Sequence, residues 1–441
     1  MECKREGCPM SGMGIVVIAF LVLLLLGMPV AFSIGISGLL FFLITPGLPY
    51  TIVVQKALST TQSFTMLAIP LFIFAGNLMN NTGITKRLIK LADVLTGHMY
   101  GNIAQVSCVL STLMGGVSGS ANADAAMESR VLGPEMIRRG YDRGWSAAIN
   151  AWSSMIVCTI PPSMGFIIYG SIGEVSIGRL FAAGMIPGLL MMIFLMTATS
   201  ISAHKRNYLP DRQKPASFRE VMTALKDGIW ALLFPIILIV FIRFGIMTPS
   251  ESGAFAAVYA IFVGTVIYKE MSLKVLIRTL KDSTKDIAIV TLILALSGIF
   301  GYGIVYDSIP QAMATGLLGI TKNPTLMLLI IIALLLVMGM FMETTVITLL
   351  MTPILLPVVK SLGIDPVHFG VIMMTVTTSG INTPPVGTAL YTTSSILGCS
   401  PEETTKAALP FFVSVMAVVA LLVFVPEISL WLPNLVFGAV K

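Results

Sequence analysis

The stretch Gly115-Gly-Val-Ser-Gly-Ser-Ala-Asn-Ala-Asp-Ala-Ala126 sets small and polar side chains and an aspartate where a membrane helix would carry leucine. A second stretch, Gly339-Met-Phe-Met-Glu-Thr-Thr345, does the same with a glutamate. Each is followed downstream by a doubled proline inside an apolar segment, Pro161-Pro162 and Pro384-Pro385. Backbone polar groups freed inside a bilayer persist only where protein buries them or a cavity receives them. Paired interruptions at corresponding places in two halves of a chain point to a transporter's binding site.

The surrounding composition fits that reading. The chain is 56% hydrophobic and 11% charged, with mean hydropathy +0.92; a soluble domain is roughly 25% charged. Apolar runs recur from Ile15 to Val440, which predicts an all-α polytopic membrane protein in a lipid bilayer. The first run follows a short polar head, Met1–Met13, to which no role is assigned, and lacks a small-residue cleavage site, so a retained span is expected. The cysteines form no CxxC pair, and His98, His204 and His368 are scattered, which leaves zinc, haem and disulfide frameworks unsupported. A net charge of +6 fits basic cytoplasmic loops better than a nucleic-acid partner. No GxSxG, HExxH or paired catalytic carboxylates accompany the polar residues, so no enzyme is expected.

Basic clusters set the topology. Lys86–Lys90, Arg130–Arg143, Lys205–Lys226 and Lys269–Lys285 are expected inside. Both flanks of Ile103–Met127 are basic, so this segment is predicted as a re-entrant hairpin, 103–127, bending at its glycines. A span at Phe64–Leu78 then runs inward, and Trp145–Ser171, broken at Pro161-Pro162, runs outward. Spans follow at Leu180–Ala203, Gly228–Met247, Pro249–Tyr268 and Asp286–Tyr306. Ser217 and Thr248 read as capping boxes with Glu220 and Glu251. Ser272–Asp286 carries a basic stripe and reads as an interfacial helix on anionic lipid. Leu326–Val359, bent near Glu343, is a second hairpin dipping from outside, 326–359; Val367–Leu397 is its broken helix and Ala407–Leu432 the last span. Ile15–Ile44, with a bend at Gly27-Met28-Pro29, is compatible with one crossing or two.

The halves align at a constant offset of 222 residues: Gly76 on Gly298, Pro162 on Pro384, Tyr169 on Tyr391. Phe64–Leu78 and Asp286–Tyr306 run in opposite directions, so the repeat is inverted. The expected organisation is a scaffold in 1–63, a first repeat in 64–203, connecting spans and linkers in 204–285, and a second repeat in 286–441.

Two oxygen-rich clusters follow. Ser118, Ser120, Asn122 and Asp124, with Thr159 and the carbonyls before Pro161, supply what a Na⁺ site needs; Glu343, Thr344, Thr345, Asn382 and Thr383 form the matching set. Substrate is expected between them, near Gly119, Pro161, Pro162, Ser163, Pro384 and Pro385, with helix-start N–H groups available to a carboxylate. Intramembrane ionisable residues are rare and usually functional, which favours Asp124 and Glu343. Arg179 and Arg243, near span ends, are expected to snorkel. Small residues at the bends alternatively serve close helix packing alone.

Five strings in order are similar to the large membrane subunit of tripartite ATP-independent periplasmic (TRAP) transporters, the DctM-like proteins. They are Ile69-Pro-Leu-Phe-Ile-Phe-Ala-Gly-Asn-Leu-Met79, Gly116-Val-Ser-Gly-Ser-Ala-Asn-Ala-Asp-Ala-Ala126, Ile160-Pro-Pro-Ser-Met-Gly165, Ser176-Ile-Gly-Arg-Leu-Phe-Ala-Ala-Gly184 and Gly380-Ile-Asn-Thr-Pro-Pro385. The resemblance runs from about Gly14 to Leu432. It implies an ion-transporter-superfamily fold in which both hairpins move as an elevator against a scaffold in a bacterial inner membrane. It also implies Na⁺-driven uptake of an organic acid handed over by a soluble periplasmic binding protein, with a separate small four-helix membrane subunit. The family's Na⁺ sites map onto Ser118, Ser120, Asn122 and Asp124, and onto Glu343, Thr344, Thr345 and Thr383. A C4-dicarboxylate is the default substrate, with sialic acid and other sugar or keto acids open. A stand-alone Na⁺/carboxylate symporter of the same superfamily, and a channel or structural membrane partner, are the alternatives.

Overall fold

The computed structural model describes residues 12–62, 64–115 and 119–438, and all their regular structure is helical. Among the described residues, seven helices are long and apolar enough to cross a bilayer; the bent pair Arg143–Thr159 and Met164–Gly173, which turns by 44° at the proline break, makes an eighth when counted as one span.

The halves fold alike. Helices starting at Asn102, Ala121, Arg143, Met164 and Ile177 have counterparts starting at Pro324, Thr344, Pro366, Thr388 and Pro401. The offset grows only from 222 residues at the first pair to 224 at the last, so the order of elements is kept almost without insertion. Both proline pairs contain a cis peptide.

The first hairpin has arms Asn102–Met114 and Ala121–Val131. They run antiparallel, because Ser111 reaches Asp124 and Ser107, a turn earlier, reaches Glu128, a turn later. The second hairpin has arms Pro324–Phe341 and Thr344–Ser361, with Met342 and Glu343 extended at its tip. The halves interlock: Thr388–Leu397 packs on Ala121–Val131, and Met164–Gly173 packs on Thr344–Ser361. The C-terminal half of each broken helix thus closes on the other repeat's hairpin.

Several boundaries differ from the sequence reading. Ile15–Ile44 becomes two helices, Gly12–Leu25 and Val30–Ile44. Phe20 and Gly38 both meet Phe300, so the chain doubles back at Leu26–Pro29. Each helix is only about 21 Å long, short of a ~30 Å hydrocarbon core. The basic stripe of Ser272–Asp286 is the beginning of one 34-residue helix, Leu273–Tyr306. No proline or glycine lies between Ser272 and Gly298, so nothing stops the helix at the interface. Ser217 likewise caps one continuous helix, Phe218–Arg243, which runs through both Gly228 and Pro235. The capping boxes at Ser217 and Thr248 are present. The last span ends at Phe424, before Pro426, and a separate helix Glu427–Phe437 follows. Ile84–Thr96, read as a basic loop, is an amphipathic helix burying Leu88 and Leu91, and Ile309–Ile320 is a helix that was not anticipated.

Arg179 and Arg243, expected to snorkel, have protein partners. Arg179 donates to Gly438 O and Asn434 Oδ1, both at 2.6 Å, and Arg243 donates to Val436 O. Both guanidinium groups sit on the C-terminal end of Glu427–Phe437, where carbonyls lack intrahelical donors and the helix dipole favours cations.

Candidate functional site

Each hairpin tip sits on the proline break of its own repeat. At the first, Gly119 adopts φ +64°, in the left-handed region, and its carbonyl accepts from Cys158 Sγ at 3.7 Å. A Cβ at Gly119 would lie 3.1 Å from Pro162 O, so the bend needs glycine for its conformation and for its closeness to the break. At the second, Met340 O accepts from Val386 N and Gly387 N at 3.3 and 3.2 Å. Gly339 and Gly380 cross there, and a Cβ on Gly380 would fall 2.4 Å from Gly339 Cα.

The two tips also face each other. Ser120 and Asn122 from the first line a cavity of about 30 Å³ with Glu343, Thr344 and Thr345 from the second. That is room for one water or a small ion. Ser120, Asn122, Glu343 and Thr345 continue into a cavity of about 330 Å³, whose far wall is Asn77, Asn80 and Asp286. Thr388 Oγ1 donates to Asn122 Oδ1 at 3.2 Å, which ties the second broken helix to the first tip.

Polar atoms without partners concentrate at these places. Asp124 Oδ1, Thr159 Oγ1, Ser163 Oγ, Thr344 Oγ1 and both amide atoms of Asn382 are buried with no hydrogen bond. Each such group costs roughly 1–3 kcal/mol unless something meets it. The Glu343 carboxylate has no hydrogen bond or ion pair among the described residues. Ser120, Ser163 and Glu343 occupy N-cap positions, yet their side chains accept no backbone N–H, unlike Ser217, Thr248 and Ser400. Three helix starts therefore keep uncapped N–H groups at the tips and the first break.

Asp124 faces the interior of its hairpin rather than either cavity. Its Oδ2 accepts from Ser111 Oγ at 2.7 Å. The same hydroxyl lies 2.8 Å from Oε1 of Glu128, whose Oε2 accepts from Ser107 and from Ser153, the latter at 2.8 Å. Ser111 has one hydrogen for two carboxylates, an arrangement that calls for a cation or a proton beside it. Sequence reasoning missed Glu128. Its signal was there, because Asp124 and Glu128 are four residues apart on one helical face, opposite the equally spaced pair Ser107 and Ser111.

The other expected residues distribute unevenly. Ser118 lies outside the described residues. Thr383 is buried and spends its hydroxyl on Gly380 O at 2.7 Å. Pro161 and Pro162 are buried, whereas Pro384 and Pro385 are exposed, and neither pair lines the two cavities. Asn77, Asn80 and Asp286 were not anticipated as cavity residues; Asn77 does fall inside the string Ile69–Met79.

Comparison with known proteins agrees with this architecture. Residues 17–428 match the family model described as the tripartite ATP-independent periplasmic transporter, DctM component. The chain is 38% identical over 96% of its length to the sialic acid TRAP transporter large permease protein of Vibrio cholerae, covering 98% of it. It is 34% identical to the C4-dicarboxylate TRAP transporter large permease protein of Rhodobacter capsulatus over 94% of this chain and 97% of that one. Identity is also 34% to the 2,3-diketo-L-gulonate TRAP transporter large permease protein of Escherichia coli, over 96% of each. Among solved structures, the Alcanivorax borkumensis YdaH transporter superposes with a TM-score of 0.63 at 11% identity over 96% of this chain and 99% of that one, a likeness of fold alone. With the family match spanning nearly the whole chain and relatives aligned end to end, the protein belongs to the DctM family of TRAP transporter large permeases.

Proposed function

We propose that this chain is the translocating subunit of a Na⁺-driven, binding-protein-dependent importer of an organic acid in a bacterial inner membrane. The observation that carries the proposal is the set of unpartnered oxygens at the two tips and their proline breaks. Asp124, Thr159, Thr344 and Asn382 each leave a buried oxygen unmatched, and Glu343 is an unpaired carboxylate beside an ion-sized cavity. Hard oxygen donors on non-helical backbone suit Na⁺. Ser120, Asn122, Asp124 and Thr159 would take one ion, and Glu343, Thr344, Thr345, Asn382 and Thr383 another. The uncapped helix starts at Ala121, Met164 and Thr344 would meet a substrate carboxylate.

The adjoining cavity separates the tips from Asn77, Asn80 and Asp286, on the helices Ala68–Asn81 and Leu273–Tyr306. In an elevator the hairpins, with their ions and substrate, slide past such a fixed wall. That wall lies near the basic ends of its helices, which favours a cytoplasm-facing state. A small four-helix membrane subunit and a soluble periplasmic binding protein complete the assembly. Charge balance sets the drive: moving one net charge is worth about 2.3 kcal/mol per 100 mV. A monoanion entering with two Na⁺ gains from the membrane potential, whereas a dicarboxylate with two Na⁺ does not.

Reconstitution of the chain with its small subunit tests the tripartite reading. Uptake is expected only when the cognate binding protein is present. Equal uptake without it would make the chain a stand-alone symporter.

A further inference from the structure

Among the described residues, the 330 Å³ cavity between the tips and the fixed wall is lined by two charged side chains, Asp286 and Glu343, and by no lysine, arginine or histidine. Its volume lies at the lower end of the range for small-molecule sites. Resting on the transport reading above, we propose that the substrate is a hydroxyl-rich organic acid with one carboxylate, rather than a dicarboxylate.

The two walls differ in what they offer. On the tip side, Glu343 faces the Na⁺ region, and the helix starts at Ala121 and Thr344 bring backbone N–H groups. Ions and N–H groups there satisfy one substrate carboxylate. The far wall has no such provision. Asn77 Nδ2 donates to Asp286 Oδ2 at 2.9 Å and lies 3.1 Å from Ser283 Oγ. Asp286 has no ion-pair partner among the described residues, and its Oδ1 has no hydrogen-bond donor there. Thr85 Oγ1 donates to Asn80 Oδ1 at 3.2 Å, which leaves the Asn80 amide nitrogen as a donor. Asn77 Oδ1 and Asp286 Oδ1 remain as acceptors.

Set among Ile73, Ile289 and Val290, the polar positions of this wall are two acceptors and one donor with a negative charge among them, which matches hydroxyl groups, each of which both donates and accepts. A second carboxylate placed there would face Asp286 with nothing to neutralise it, and like charges in contact are strongly disfavoured. A site built to hydrogen-bond hydroxyls also rejects a ligand lacking them, because its own polar groups are left unpaired.

Binding to the full chain with its small subunit in nanodiscs, without any binding protein, tests the proposal directly. Gluconate and glucuronate represent the hydroxylated monocarboxylates, and succinate and fumarate the dicarboxylates. In Na⁺, the first pair is expected to half-saturate at concentrations about tenfold or more below the second, from charge repulsion alone. Asp286→Asn is expected to narrow that ratio by strengthening succinate. Succinate binding as well as gluconate, or a ratio unmoved by Asp286→Asn, would overturn the substrate class while Na⁺-dependent binding kept the transport reading intact. No Na⁺-dependent binding of any of the four acids would remove the transport reading and the substrate class with it.

Discussion

Thr388 Oγ1 donates to Asn122 Oδ1 at 3.2 Å, a side-chain hydrogen bond between residues 266 positions apart that joins the two inverted halves at the tips. Asn122 also lines both cavities, so its orientation is set by one repeat and used in the space between both. Thr388→Val keeps the shape and removes the donor. It is expected to raise the Na⁺ concentration for half-maximal uptake several-fold with little loss of maximal rate, roughly the effect of one neutral hydrogen bond. Uptake titrated with Na⁺ in proteoliposomes measures the split.

Gly380 and Gly339 touch backbone to backbone. Gly380→Ala must push the second broken helix away from its hairpin, at a cost of about 1–3 kcal/mol for an overpacked contact. A lowered melting temperature together with lost uptake is the expected result. Gly301→Ala, whose added Cβ meets nothing within 4 Å in mid-helix, is the matched control and should not lower melting.

Glu128 holds Asp124 through Ser111, so its shape matters more than its charge. Glu128→Gln keeps hydrogen-bonding atoms toward Ser107, Ser111 and Ser153 and is expected to retain most uptake. Glu128→Ala leaves buried hydroxyls unmatched and is expected to cost about 1–3 kcal/mol of stability. Thermal melting of the two variants side by side decides the point; equal melting would remove Glu128 from the network.

Outside the membrane-spanning helices, Arg139 is hydrogen-bonded to Asp211 and holds its carboxyl below the usual aspartate range. Because the folded value lies below the unfolded one, the stabilisation is present at neutral pH. It is lost as pH falls below the ordinary aspartate value of 3.8 toward the depressed folded value. The pair is more than a third exposed on the Asp211 side, so the effect is modest. Asp211→Asn is expected to flatten the acid limb of the stability curve below that pH and to leave the neutral plateau slightly lower.

Much of this architecture was legible in the chain because membrane burial punishes local exceptions. Gly115–Ala126 and Gly339–Thr345 stand out against leucine-rich surroundings, and Pro161-Pro162 and Pro384-Pro385 repeat the exception at nearly constant spacing. The tips, the breaks and the inverted order followed from those strings. Helix lengths were less legible: Leu273–Tyr306 runs unbroken from a basic stripe into an apolar span, and composition marks the interface but not a helix end. Two parts of the site were hidden for different reasons. Glu128 lies beyond the polar bend, and only helical periodicity connects it to Asp124. Asn77, Asn80 and Asp286 are ordinary polar residues near span ends, and only the packing of Ala68–Asn81 beside Leu273–Tyr306 turns them into a cavity wall.

The central claim is that the oxygens at the facing tips bind the driving ion. Its most direct measurement is uptake of the cognate organic acid into proteoliposomes under an imposed inward Na⁺ gradient, for the wild-type assembly and for Glu343→Gln and Asn382→Ala. The wild type is expected to accumulate substrate only with the gradient, and both variants to lose that dependence while keeping wild-type melting temperatures in Na⁺-free buffer. Uptake that ignores the Na⁺ gradient, or variants that follow it as the wild type does, would contradict the account.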